Sequence, residues 1–168
     1  MDKQLVKSYR TAEDSHRDLP TQAEGRDELN SLFRRYRRRF GSNVLDLGCG
    51  GGVLGAILEP TGRTYVGMDA NPDMIREARR AARERGSDQR FILGDVTRTR
   101  LVGRFDTLAL LGNAIGHLNV RGVDELLRTR RANVHPGSTF VIDYRDVVGC
   151  SGVGRGSPST SRGTSGAS

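Results

Sequence analysis

Val44-Leu45-Asp46-Leu47-Gly48-Cys49-Gly50-Gly51-Gly52-Val53-Leu54-Gly55 decides how the chain folds. It reads as a short apolar strand with an acid near its end, a glycine-rich turn, and then the start of a helix. Glycine lets a chain reverse with φ > 0 and leaves bare backbone for a ligand to lie against. The helix that follows turns its free N–H groups and positive dipole end into the same crevice. A nucleoside-type cofactor at the turn is therefore the first expectation, with a purely structural turn as the alternative.

Two motifs overlap here. Gly50-Gly51-Gly52-Val53-Leu54-Gly55 satisfies the dinucleotide pattern G-x-G-x-x-G, which a glycine run meets easily by chance. Asp46-Leu47-Gly48-Cys49-Gly50-Gly51-Gly52 has the form D-x-G-x-G-x-G and resembles motif I of the class I S-adenosylmethionine-dependent methyltransferases. The acid discriminates between them. An aspartate at the mouth of the crevice suits a cationic sulfonium amino acid and suits a pyrophosphate badly. On this resemblance Asp46, Gly48, Gly50 and Gly52 are expected at S-adenosylmethionine, and nicotinamide-dinucleotide binding is the rival.

The chain has 168 residues, enough for one domain, and 35% of them are hydrophobic, enough for a modest core. Cys49 and Cys150 lack metal-ligand spacing, so neither a metal site nor a disulfide framework is expected. The first residues show no signal-like apolar segment, and no apolar run reaches membrane-spanning length, so a cytoplasmic protein without membrane partners is the default. The net charge of +7 rests on 25 Arg and only two Lys. Such a balance can attract nucleic acid. The arginines are spread along the chain, however, and a bias in composition explains them more simply.

Residues 1–21 are polar and without strong period. A helix is expected over residues 22–39, with Leu29, Leu32, Phe33, Tyr36 and Phe40 inward and Arg34, Arg35, Arg37, Arg38 and Arg39 on a solvated outer face. Strand one takes residues 43–47 and a short helix residues 53–59, closed by Pro60 and Gly62. Strand two, residues 64–69, ends in Asp69-Ala70, nineteen residues past Gly50, close to the spacing of a ribose-binding carboxylate. Asn71-Pro72 caps a helix that runs to residue 85 and stops at Gly86. Strand three, residues 90–94, delivers Asp95 and Val96, suited to an adenine amino group and ring face. Strand four covers residues 105–111, a helix residues 123–133, and strand five residues 138–144. Such alternation implies a Rossmann-like, doubly wound parallel α/β sheet with ligands at the carboxyl ends of its strands. From Gly149 onward the composition is Gly, Ser, Thr and Arg, and disorder is expected.

Residues 40–148 carry the class I resemblance, giving an N-terminal cap (1–40), a cofactor-binding domain (41–148) and a tail (149–168). Within the class, Leu111-Gly112-Asn113-Ala114-Ile115-Gly116-His117-Leu118 and Val141-Ile142-Asp143-Tyr144-Arg145 look like the glycine and sarcosine N-methyltransferases. That resemblance implies Leu111 and His117 at the cofactor, Asn113 at the substrate and Arg145 on a substrate carboxylate. It therefore implies methyl transfer to a small amine, such as an amino acid. The class has seven strands, and five are legible here, so the expectation is a domain truncated after strand five. Its open edge is then available to a second copy of the chain. The rivals are an RNA methyltransferase using the arginine face and a non-catalytic cofactor-binding fragment.

Overall fold

The structure, a computed structural model, describes residues 22–144. Five strands form one sheet: β1 (Asn43–Leu47), β2 (Thr64–Asp69), β3 (Arg90–Leu93), β4 (Thr107–Leu110) and β5 (Thr139–Ile142). Every pairing is parallel and the order is β3-β2-β1-β4-β5. The order reverses between β1 and β4, which opens a crevice at the carboxyl ends of those two strands. The expected parallel α/β architecture is the one observed.

The sheet's central strands are buried on both faces, as a covered parallel sheet requires. Val44, Leu45, Asp46 and Leu47 are all buried, as are all four residues of β4. Alternation along β1 splits the core in two. Val44 joins Phe33, Leu54, Leu58, Tyr65, Ile75, Ala78 and Phe91, under α1 (Gln22–Tyr36), α2 (Val53–Leu58) and α3 (Pro72–Glu84). Leu45 and Leu47 join Phe105, Leu108, Leu110 and Leu126 beneath α4 (Val120–Arg130) on the other face.

Several boundaries differ from expectation for identifiable reasons. The first helix ends at Tyr36 and tightens into a 3-10 turn over Arg37–Arg39. Tyr36 is consequently 45% exposed rather than inward, with the Arg35 guanidinium 5.6 Å from its ring centre. Phe40 instead turns under the helix and meets Phe33 edge to face at 5.4 Å. The last helix starts at Val120, three residues early, because Asn119 caps it by accepting the Gly122 N–H at 2.8 Å. Strand four is shorter than expected because Phe105 N–H is drawn to Asn133 O and Asp106 turns to the start of β1. There the Asp106 carboxylate accepts the Ser42 and Asn43 amides, and His135 Nε2 lies 2.9 Å from it.

Candidate functional site

The glycine turn after β1 is built as its residues dictate. Gly48, Gly50 and Gly52 all hold positive φ, at 79°, 50° and 81°. They differ in what surrounds them. A Cβ on Gly52 would lie 2.8 Å from the Phe91 ring, so close packing as well as backbone angle demands glycine there. A Cβ on Gly50 would meet no described atom within 4 Å. That glycine therefore faces open space, the feature expected where a ligand approaches bare backbone.

Hydrogen bonds join the strand ends into one rim. Gly48 and Cys49 N–H both donate to Met68 O, at 2.8 and 3.0 Å. Asp69 Oδ2 accepts the Gly50 N–H at 2.9 Å and Oδ1 accepts the Asn71 N–H at 2.8 Å. Asp69 thus clasps the glycine turn to the start of α3. Each of its oxygens has a second lone pair with which to accept from a ligand. Gly94 N–H donates to Asp69 O at 2.9 Å and brings the end of β3 alongside. On the other flank, a Cβ on Gly48 would lie 3.1 Å from Ala114 Cβ, so the loops after β1 and β4 touch.

Asp46 is not at the mouth of the crevice, as the sequence reading places it. It is 3% exposed, behind the turn, and accepts the Tyr65 hydroxyl at 2.6 Å. The register explains this contact. Asp46 lies opposite Gly67 and Val44 opposite Tyr65, so the missing side chain at Gly67 leaves room along that face. Cys49 Sγ and the Phe91 ring fill the rest, 2.8 and 3.0 Å from where a Gly67 Cβ would sit. Burial raises the Asp46 carboxyl to about 7 against the pull of the Tyr65 hydrogen bond, with Asp69 and Asp143 adding repulsion. Burial likewise pushes the Cys49 thiol and the Tyr65 hydroxyl far up, so both stay neutral.

Asp95 forms a local turn: Oδ1 accepts the Thr97 N–H at 2.8 Å and the Thr97 hydroxyl at 2.7 Å. Val96 packs partly buried against the Leu45 and Leu108 side of the core. Asp95 therefore has a local turn role in addition to the one expected from the sequence. Arg130, 1% exposed in the last turn of α4, donates from Nη2 to Thr99 O beneath this loop.

The loop after β4 is anchored by a residue the sequence reading did not select. Asp143 accepts the Gly112 N–H at 2.9 Å and the Asn113 N–H at 2.8 Å, one on each oxygen. Asn113 is the one described non-glycine residue with positive φ, at 61°. Asparagine tolerates that region better than most side chains. Leu111 is buried, and His117 closes the 3-10 turn Ala114–His117 with its pKa lowered by desolvation, which favours the neutral imidazole. Arg145 lies outside the described residues. Tyr65 had no local signal, because its contact with Asp46 follows from the β1–β2 register, whereas Asp143 could have been noticed as an acid just after the last strand residue. Among the described residues, no group of three or more His, Cys, Asp or Glu is placed to hold a metal. No helix among them is long and apolar enough to cross a membrane.

A family model described as a methyltransferase domain matches residues 44–137, from the second residue of β1 to the turn before β5. The chain belongs to the methyltransferase-domain family. This methyltransferase domain is similar to the ubiquinone biosynthesis O-methyltransferase of Vibrio parahaemolyticus, with 36% identity over 64 residues covering 38% of this chain and 27% of that one. It is also similar to the ribosomal protein L11 methyltransferase of Thermus thermophilus, 36% identical over 80 residues, 48% of this chain and 31% of that one. The matched stretches thus cover less than a third of those two proteins.

Among solved structures it is similar to the PH0226 protein of Pyrococcus horikoshii, with TM-score 0.67 and 30% identity over 77% of this chain and 57% of that one. It shares a fold with the glycopeptide N-methyltransferase MtfA complexed with S-adenosyl-L-methionine, at TM-score 0.60 and 22% identity over 67% and 48% of the two chains. The methyltransferase domain therefore has the Rossmann-like class I fold that its motif I implies.

Proposed function

We propose that this chain binds S-adenosylmethionine at the rim formed by β1, β2, β3 and β4, and that it serves methyl transfer to a small-molecule amine, an amino acid in particular. The observation that carries the cofactor reading is the Asp69 clasp: a carboxylate at the end of β2 holding open a turn whose Gly50 faces empty space. The residues fit the group. Asp69 accepts from ribose hydroxyls with its remaining lone pairs, and Gly48, Gly50 and Gly52 let the ligand lie against backbone. Ala70 follows Asp69 in the chain, and in this reading Asp95 and Val96 meet the adenine while Leu111 and His117 contact the cofactor from the β4 side.

S-adenosylmethionine, when bound, supplies a methyl group on a cationic sulfur, open to in-line displacement by a lone pair. The protein's part is to orient the acceptor and exclude water. Asn113, whose backbone N–H is held by Asp143 and whose conformation is left-handed, is the residue we assign to orienting the amine. Arg145 follows two residues after Asp143 and is proposed to hold a carboxylate by a two-bond fork. Asp46 supports the arrangement from behind, because an arriving cation stabilises its carboxylate form.

A second acceptor class, a hydroxyl group, is favoured by the similarity to the ubiquinone biosynthesis O-methyltransferase. Titration calorimetry with S-adenosylmethionine tests the cofactor reading. Binding by the full chain, lost in Asp69→Ala, supports it, and absence of binding by a folded wild type overturns it. A labelled-methyl assay on matched amines and phenols then separates the acceptors. Labelling of amines supports the amine reading, and labelling of phenols alone replaces it with the hydroxyl one.

A further inference from the structure

The end of the sheet remote from the rim carries an open cleft of about 520 Å³, lined by Phe33, Arg37, Arg38, Phe40, Thr61 and Arg63. Three of these six residues are arginines and none is acidic. From the sequence Arg37 and Arg38 read as part of a solvated helix face, with an RNA-binding face as the rival. The fold changes their standing, because it brings Arg63, just before β2, against the 3-10 turn that follows α1.

Arg63 is fixed there by the backbone. Its Nε donates to Gly41 O at 3.0 Å, and Nη2 lies 3.3 Å from both Arg37 O and Phe40 O. Its guanidinium also sits 5.5 Å from the Phe33 ring centre. The guanidinium is therefore held in place before any ligand arrives. Arg37 and Arg38 are exposed. Among the described residues, none of the three cleft arginines has a carboxylate within ion-pair distance; the pairs formed elsewhere use Arg76, Arg80, Arg85, Arg128 and His135. Glu59, the acid nearest in sequence to Thr61, is engaged by Arg85 at 2.9 Å.

Arg34 and Arg35 are in the last turn of α1, where a cation meets the negative end of the helix dipole, so their presence has a local explanation. Arg37 and Arg38 lie beyond that turn and converge with Arg63 instead. Three guanidinium groups that no described carboxylate pairs, gathered around one concavity, raise the local potential and suit an anion. Arg34, Arg35 and Arg39, next to the cleft in sequence, are exposed too, so the positive charge of this helix end is not confined to the three cleft arginines, and an extended polyanion matches it better than one small anion does. Phe33 and Phe40 are only 7% and 3% exposed, so they offer no platform for stacked bases. Recognition here would be of backbone phosphates without regard to sequence.

We propose that this cleft binds the phosphates of a single-stranded nucleic acid, RNA or DNA. It lies at the amino ends of β1 and β2, about 16 Å from the crevice along a five-residue strand. A strand held there leaves the cofactor rim open, so the site tethers the protein and does not present the methyl acceptor. The inference is independent of the methyl-transfer reading.

The test is fluorescence anisotropy of the full chain with a labelled oligouridylate, from about 50 to about 200 mM salt. Arg37→Glu/Arg38→Glu should weaken binding at least about tenfold at low salt and lower the slope of log affinity against log salt by about 1.4. Arg121→Glu, an exposed change on α4, should leave both nearly unchanged. Circular dichroism establishes that each variant is folded, and Arg37→Gln/Arg38→Gln serves if the charge reversal is not. Inorganic phosphate is the competitor at constant ionic strength. Variant-sensitive binding that phosphate does not displace supports a strand bound through several phosphates. Displacement by phosphate at low millimolar levels reassigns the cleft to a free phosphate and overturns the nucleic-acid proposal. Wild-type affinity in the double variant, or equal loss in Arg121→Glu, overturns it as well, since the binding would then be diffuse charge attraction.

Discussion

At the residue scale, Asp46 shows how one buried carboxyl carries a pH signature. Its pKa is raised in the folded chain from 3.8 to about 7, chiefly by burial. Below about pH 4 the carboxyl is protonated in both folded and unfolded chains. Between about pH 4 and pH 7 the unfolded chain releases the proton that the folded one keeps. Stability from this group is then lost at up to about 1.4 kcal/mol per pH unit. Asp46→Asn keeps an acceptor for the Tyr65 hydroxyl and cannot titrate, so urea denaturation should show a flatter stability profile than wild type across that window. Parallel profiles would mean that Asp46 does not titrate there. The glycines allow a sharper division. Gly52→Ala forces a methyl into the Phe91 ring at an unfavourable φ and should cost about 2–4 kcal/mol of stability. Gly50→Ala meets only the backbone penalty, about 1–2 kcal/mol, yet places its methyl where the ligand is proposed to lie. Thermal melting and calorimetry together should find Gly50→Ala milder in stability and comparably severe in cofactor affinity.

At the scale of elements, Asp143 ties β5 to the loop after β4. Asp143→Ala removes two charge-assisted hydrogen bonds to partly exposed amides and should cost about 1–3 kcal/mol, measured by chemical denaturation. Asn113→Ala should cost about 1 kcal/mol through its positive φ, and Asn113→Gly should not. A denaturation midpoint equal to wild type in Asp143→Ala would mean that the loop holds its shape without the clasp. These elements also show what the sequence makes legible. Strands β1 and β2 were readable to the residue because each is an apolar run bounded by glycine, proline or an acid. The start of α4 was not, because Val120 and Gly122 are weak helix formers and only the Asn119 cap marks it. The rim's acids were visible as acids at strand ends. Their partners were not, since the Tyr65–Asp46 and Asp143–Asn113 contacts depend on which strands pair and in what register. The arginines at the end of α1 looked like a solvated face because nothing local to them shows that Arg63 arrives from another turn.

At the scale of the whole molecule, β5 is the last described strand of the sheet, pairing with β4 on one side and with no other described strand. Thr139 N–H donates to Asp106 O at 2.8 Å and Asp143 N–H to Leu110 O at 3.3 Å, so residues 139, 141 and 143 direct their backbone groups inward. The N–H and C=O of Phe140 and Ile142 therefore face the outer edge. Ile142 is 43% exposed and Tyr144 76%, so the edge is apolar as well as unpaired among the described residues. Such an edge is a template for another strand unless charge or proline blunts it, and residues 139–142 contain neither. Two copies of the chain are expected to pair through β5, extending the sheet across a two-fold axis. Sedimentation velocity over a concentration series should show self-association, and Ile142→Lys should abolish it while leaving the fold intact. The backbone amides of Phe140 and Ile142 should exchange slowly at high concentration and quickly on dilution, whereas those of Thr139 and Val141 should be protected throughout. A sedimentation profile that does not change with concentration, with the Phe140 and Ile142 amides always fast, would overturn pairing at this edge.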